Sequence, residues 1–382
     1  MKPRFVVLTV FLALELFSLR ATPLDDFIAA ACKNHGSAGE KAARFLAENM
    51  PGNDRTNLTE AFLTENLDLA FKARAEFPWT KQISDDLFQN DVLPYAVFDE
   101  PRDPWRADFY QKASKIVKDA NAKTATEAVQ ALNKEIFKLV KVHYNTARKR
   151  PNQSPKESIA IGRATCTGLA IILVDACRAV GIPARGAGTP MWTNERGNHT
   201  WAEIWDGQWH FTGADEYDAT GLDRAWFVGD AAQAEIDSPR HAIYATTWKR
   251  DGLLFPTVWS RRDSSVAGIN VTARYAKDKN PDAANYLEVG IRLWDKKGGQ
   301  RLQSKLCIFD GSHRQCGVAE TKSGTADLND MPRFTLKPGA QGSFRFTVGK
   351  EARDLNFGPL TKENVTIDAF WPDLTPVSEQ VN

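Results

Sequence analysis

The run Gly162-Arg-Ala-Thr-Cys166-Thr-Gly-Leu-Ala-Ile-Ile-Leu-Val-Asp-Ala-Cys177 leaves this chain few choices. A short polar segment opens directly into an apolar stretch, which Gly181-Ile-Pro183 then stops with the glycine and proline typical of a helix end. The pattern predicts a buried helix carrying a thiol in its first turn. The positive end of a helix favours negative charge, so Cys166 is placed where a thiolate, the nucleophilic form, is promoted. Thr165 or Thr167 can cap this helix, and its first backbone N–H groups can form part of an oxyanion hole. Arg163 reads better as a surface ion-pair residue than as part of a pocket.

Downstream, Asn198-His199-Thr200-Trp201-Ala-Glu203-Ile-Trp205 alternates like a strand. It meets the turn pair Asp206-Gly207 and resumes through Trp209 and Phe211 as a second strand. Strand parity puts His199, Trp201, Glu203 and Trp205 on one face, and Trp209, Phe211, Gly213 and Asp215 on one face of the returning strand. A carboxylate at the far end of that strand can accept the imidazole N–H, set its tautomer and leave the other nitrogen for the thiol. Parity selects Asp215, and a bulge at Gly213 selects Glu216 instead. Glu203 and Asp218 are lesser choices. Cys166, His199 and Asp215 fall in that order within 49 residues (215 − 166), the arrangement of a Cys-His-acid acyl-transfer site.

At 382 residues the chain is longer than one core usually supports, so two or three domains are expected. A formal charge of +1 gives no reason to expect a nucleic acid or an anionic membrane as partner. Lys2 and Arg4 precede an apolar stretch from Phe5 to Phe17, the layout of a secretory signal too short to span a bilayer, with Ala21 a poor cleavage position. Export to the periplasm or the extracellular space is the expectation. An odd count of five cysteines in an exported chain leaves one thiol free, while Cys307 and Cys316 flank a turn-like insert and can close a disulfide hairpin. Cys177, about three helical turns from Cys166, reads as a small buried hydrophobe. No zinc-type spacing or dinucleotide loop occurs, so no metal or cofactor is expected. Asn198-His199-Thr200 matches a glycosylation sequon, but a glycan there would obstruct the histidine.

Residues 22–150 read as a helical N-terminal region. Within it Val129, Leu132, Ile136, Leu139, Val140 and His143 repeat at helical spacing, with His143 ending the stripe as a packed or helix-terminal residue. Asp91 to Arg106, with three prolines, is either an ordered crossing between helices or one lip of a substrate groove. Residues 151–261 switch from helix to short strands. Residues 262–382 carry strand-like stretches at Val266–Tyr275, Tyr286–Trp294, Lys305–Phe309, Gly342–Val348 and Val365–Phe370, predicting an immunoglobulin-like β-sandwich. The expected fold class is α+β, preceded by a signal peptide over residues 1–21.

Three motifs together carry a family resemblance: Arg163-Ala-Thr-Cys166-Thr-Gly-Leu169, then Leu173-Val-Asp-Ala-Cys-Arg178-Ala-Val-Gly181-Ile-Pro183-Ala-Arg185, and His199-x-Trp201-x-Glu203 followed by Trp209. The region from about 155 to 230 resembles the catalytic core of the transglutaminase-like superfamily, papain-related cysteine enzymes. The resemblance implies a helix bearing the cysteine packed on an antiparallel sheet bearing the histidine and an aspartate. It also implies thioester chemistry on protein or peptide amides, as a peptidase or amidase in preference to a cross-linking transglutaminase. The family places its aspartate four residues after the tryptophan, where this chain has Gly213; Asp215 lies two residues further on with the same parity, with Glu216 its rival, and an asparagine or another residue can assist from elsewhere. A catalytically degenerate scaffold is the rival reading.

Overall fold

The computed structural model describes residues 23–195, 197–250, 252–276, 287–323, 331–361 and 366–377, so the expected signal peptide lies outside the described residues. The N-terminal part is helical: α1 (Pro23–Asn49), α2 (Gly52–Asn57), α3 (Glu60–Glu76), α4 (Asp85–Leu87), α5 (Arg106–Asp119) and α6 (Ala125–Val140). A capping box starts α6, the Thr124 side chain accepting from the Glu127 N–H while the Glu127 carboxylate accepts from Thr124. The helix buries Ala128, Val129, Leu132, Ile136, Phe137 and Val140, each of the larger side chains stabilising by about 1.5–3 kcal/mol. It stops at Val140 because Lys141 turns left-handed (φ 56°), which takes His143 off the helix and leaves Leu139 half exposed.

The proline-rich stretch after residue 91 is an ordered crossing, buried from Tyr95 to Phe98. Its carbonyls find donors in two buried guanidinium groups. Arg106 donates to the carbonyls of Val92, Leu93 and Pro94, and Arg178 to those of Asp91, Pro94 and Ala96. Irregular backbone survives in a core only when satisfied in this way. Phe98 then lies directly on Gly186, where an added Cβ would fall 2.2 Å from its ring.

The middle of the chain runs β1 (His143–Tyr144), α7 (Pro155–Ile161), β2 (Arg163–Ala164), α8 (Cys166–Ala179), β3 (Ala184–Thr189), β4 (His199–Trp205), β5 (Trp209–Thr212), α9 (Val228–Ala231), β6 (Tyr244–Thr247), β7 (Gly252–Leu254), β8 (Ala267–Asn270) and α10 (Thr272–Tyr275). The C-terminal part adds β9 (Leu287–Trp294), β10 (Ser304–Asp310), β11 (Gln315–Thr321), β12 (Arg333–Leu336), β13 (Gly342–Val348), β14 (Glu351–Phe357), β15 (Thr366–Phe370) and β16 (Thr375–Pro376). Eleven strands form one sheet in the order β16-β14-β13-β10-β11-β7-β8-β6-β3-β4-β5. The sheet therefore runs without interruption past residue 261, joined where Gly317 and Val318 pair with Leu253 and Gly252. A three-stranded sheet, β12-β9-β15, shares an apolar cluster with β10, β11 and β13.

Two expectations are corrected here. The stretch 266–275 is strand only to Asn270 and then turns into α10, because β8 pairs with β6 and β7 and not with the C-terminal strands. Cys307 and Cys316 are free thiols. Cys307 pairs in register with Val318 and neighbours Lys305 and Arg345, whereas Cys316 packs against the cluster containing Ile308, so the two side chains leave opposite faces of the sheet.

One apolar cluster binds the central helix to both sides. It takes in Phe109, Leu132 and Phe137 from α5 and α6, Leu169, Ile172 and Leu173 from α8, and Ala202 and Ile204 from β4. No core boundary therefore falls at residue 150. Trp79 adds a hydrogen bond from its indole to the Val180 carbonyl at 2.8 Å. Cys177 is fully buried in this cluster. Among the described residues no helix is long and apolar enough to cross a membrane.

Candidate active site

Cys166 opens α8 behind Thr165, which sits at the cap position without a side-chain cap bond. Thr167, the other candidate cap, has its hydroxyl 3.2 Å from that of Thr200 on β4. These two threonines frame the thiol. The backbone N–H groups and hydroxyls of Thr200 and Thr167 are polar neighbours that favour the thiolate. Burial outweighs them and pushes the thiol above its ordinary range, so at rest Cys166 is protonated. Burial thus overrides the lowering expected of a helix N-terminus.

His199 is the first residue of β4 and 7% exposed. The strand alternates as its sequence requires: Thr200, Ala202 and Ile204 meet α8, while Trp201 belongs to a second, aromatic cluster with Trp192 and Phe227. The imidazole packs among these rings, with centroids 4.7 Å from Trp226, 4.8 Å from Phe227, 5.7 Å from Trp201 and 6.2 Å from Trp192. Its Nε2 is buried without a hydrogen-bond partner. Desolvation lowers its pKa to about 4, so the ring is neutral near pH 7. The first turn of α8 thus meets β4 one residue from the histidine, and no hydrogen bond joins sulfur to imidazole. Thiol and imidazole rest as a neutral pair.

The four carboxylates proposed from sequence lie in four different settings. Glu203 is buried on β4 and accepts from Arg185 at 2.8 Å, Arg274 at 3.0 Å and Tyr275 at 2.7 Å. Tyr275 in turn accepts the Trp201 indole N–H at 2.8 Å. Asp218 sits in a loop and accepts from the Thr220 N–H and hydroxyl. Asp215 lies past the end of β5, which stops at Thr212, and has a left-handed backbone (φ 65°). Its carboxylate is bound by His143 at 2.9 Å and its N–H by Asn133 on α6 at 3.0 Å, and no hydrogen bond links it to His199.

Glu216 folds back over Gly213. A Cβ added at 213 would fall 1.9 Å from the Glu216 Oε2, so this carboxylate fills the space a side chain at 213 would need. Its Oε1 accepts the Trp226 indole N–H at 3.0 Å, and its Oε2 is buried without a partner. Burial raises its pKa, partly offset by that hydrogen bond. No hydrogen bond joins it to His199. The link between them is the Trp226 ring, in contact with both.

Trp226 and Thr200 are the site residues that spacing did not single out. Trp226 reaches the histidine because the chain after β5 doubles back: Thr212 bridges to Arg224, and the Asp223 N–H donates to the Phe211 carbonyl at 2.9 Å. Only the number of tryptophans hinted at such a contact. The returning loop, Glu216 to Val228, lines an open depression of about 930 Å3, and Trp226, part of its wall, also contacts the imidazole. Among the described residues no group of three or more His, Cys, Asp or Glu side chains is arranged to hold a metal ion.

Residues 111–218 match the family model described as Transglutaminase-like superfamily, so this segment carries a transglutaminase-like core. The matched span starts on α5, ends just past Glu216 and includes Cys166, His199 and both candidate acids. No curated protein matches the chain. Among solved structures, a chain from Cytophaga hutchinsonii described as a candidate cysteine protease is 19% identical, with a TM-score of 0.29. That alignment covers 39% of this chain and half of the other. A likeness at that score decides neither fold nor activity.

Proposed function

We propose that this protein is a cysteine-dependent acyl-transfer enzyme that acts on protein or peptide amides, with Cys166 as nucleophile and His199 as general base. The observation that carries the reading is the meeting of the first turn of α8 with the start of β4, where the Thr167 hydroxyl lies 3.2 Å from that of Thr200, the residue after His199. The neutral imidazole takes the S–H proton as the sulfur attacks the carbonyl carbon, and the imidazolium then protonates the leaving amine. The Thr167 and Thr200 N–H groups supply donors beside the sulfur where an oxyanion forms. Water, deprotonated by the same imidazole, resolves the thioester to a carboxylic acid. Hydrolysis is preferred over cross-linking because no second site for an acceptor amine stands out among the described residues.

Glu216 is the acid of choice over Asp215, since Asp215 is committed to His143 and Asn133 while Glu216 occupies the space above Gly213. Export remains part of the proposal and rests on the basic-apolar N-terminus. So does an immunoglobulin-like sandwich beyond residue 262, supported by the two sheets sharing one core.

The degenerate-scaffold reading has its own support, the absence of any carboxylate bonded to His199 and a thiol held protonated. A peptide library incubated with and without added amine, read by mass spectrometry, decides among these. Cleavage that disappears in Cys166→Ala and in His199→Phe supports the enzyme. Absence of any product from the wild-type protein supports the scaffold.

A further inference from the structure

Trp226 is 57% exposed, yet it touches both members of an otherwise disconnected pair. Its indole lies 4.7 Å from the His199 imidazole at an interplanar angle of 55°, and its N–H binds Glu216 at 3.0 Å. An exposed tryptophan pays a cost in ordering that a hydrogen bond to a partly buried carboxylate offsets. Both His199 Nε2 and Glu216 Oε2 are buried and partnerless. Among the described residues, the ionisable groups on α8, β3, β4, α9 and the segments 190–195 and 213–227 that carry the surrounding rings are Cys166, Asp175, Cys177, Arg178, Arg185, Glu195, Glu203, Asp215, Glu216, Tyr217, Asp218, Asp223, Arg224 and Asp230. None of these makes a hydrogen bond to it. Among the described residues four aromatic rings surround the imidazole, and the Trp226 indole is the one that donates directly to a carboxylate.

We propose that Trp226 is the positioning residue of this site: Glu216 fixes the indole, and the indole fixes and shields the general base His199. The inference rests on the Cys166–His199 reading given above. It replaces direct contact between acid and imidazole with a relay through a ring. It also makes Trp226 the wall shared by the reacting pair and the depression lined by residues 216–228, so a substrate side chain seated there would pack on the exposed indole face.

The test uses iodoacetamide as probe and reads alkylation of Cys166 by peptide-resolved mass spectrometry, since Cys32 is also exposed. The full chain is used throughout, and folding of each variant is checked by circular dichroism. In His199→Phe the alkylation rate at pH 7 should fall, which establishes the base. Trp226→Phe keeps a ring and removes the N–H. It should slow alkylation on the order of tenfold, part of the hundredfold or more that a general base supplies. Glu216→Gln should do the same, and the double variant should be no slower than either single one, the behaviour of residues acting as a unit. Trp226→Ala should in addition move the acid limit of alkylation up from about pH 4 towards 6.5, as water reaches the imidazole.

A His199→Phe rate equal to wild type would overturn both the base assignment and the relay. With the base established, the relay alone is overturned if Trp226→Phe alkylates at the wild-type rate or faster, or if the Trp226→Phe and Glu216→Gln effects multiply. An unchanged acid limit in Trp226→Ala would overturn the shielding.

Discussion

The burial of His199 makes the stability of this protein depend on pH in a way that one substitution removes. In the unfolded chain the imidazole binds a proton below its ordinary value of 6.5, and in the folded protein it stays neutral down to about 4. Between those values the unfolded state holds more protons, so stability falls as pH falls, and the contribution is fully present only above 6.5. The full difference corresponds to about 3 kcal/mol, of which about 2.5 kcal/mol is expressed by pH 4.5. His199→Phe keeps an aromatic ring among Trp192, Trp201, Trp226 and Phe227 and has nothing to protonate. Urea unfolding of both proteins, followed by tryptophan fluorescence at intervals from pH 7.5 to 4.5, gives the difference in stability at each pH. The buried carboxylates titrate in both proteins and cancel in that difference. The wild type should lose about 2.5 kcal/mol relative to the variant across this range. A difference that stays flat would refute the buried, unpartnered imidazole. A difference of opposite sign would mean that a carboxylate reaches His199 and raises its pKa, the direct triad that the hydrogen bonding argues against.

Three further outcomes follow from the geometry. Asp215→Asn should leave peptide turnover within about twofold, since its partners are His143 and Asn133, whereas Glu216→Gln should reduce it on the order of tenfold; steady-state kinetics of the two variants separates them. Gly213→Ala should cost about 1 kcal/mol or slightly more in urea unfolding but lower turnover as far as Glu216→Gln does, because the new methyl displaces the Glu216 carboxylate. Dithiothreitol should not shift the melting temperature, since Cys307 and Cys316 leave opposite faces of their sheet; a drop of several degrees on reduction would show that they are joined.

Periodicity made some elements legible from the sequence. The apolar run after Cys166 is a helix that begins at that residue, and the alternation from His199 meets its partner strand across Asp206-Gly207 with Trp205 opposite Trp209. Such signals are local, since each residue type reports on the face it occupies. What stayed hidden depends on where the chain reverses. The stripe of α6 suggested a helix through His143, but one left-handed residue at Lys141 ends it and frees His143 to bind Asp215. Nothing in the spacing signals that reversal. Likewise the parity that favoured Asp215 holds only while β5 continues, and β5 stops at Thr212.

The place of the Glu216 carboxylate is therefore set by volume and not by parity. Glycine at 213 leaves a space beside β4 that a side chain would otherwise fill, and the chain turns tightly enough at Asp215 (φ 65°) to bring the Glu216 carboxylate into it. Asn133 on α6 holds that turn from outside the segment, binding the Gly213 carbonyl at 2.9 Å and the Asp215 N–H at 3.0 Å. A carboxylate carried on the longer glutamate side chain from three residues further on arrives from a different direction than an aspartate at 213 would. Its free oxygen is buried, and its bound one points to an indole. The bare Cα at 213 and the placing of Trp226 between Glu216 and His199 are thus linked, since a side chain at 213 would displace the carboxylate that binds the indole.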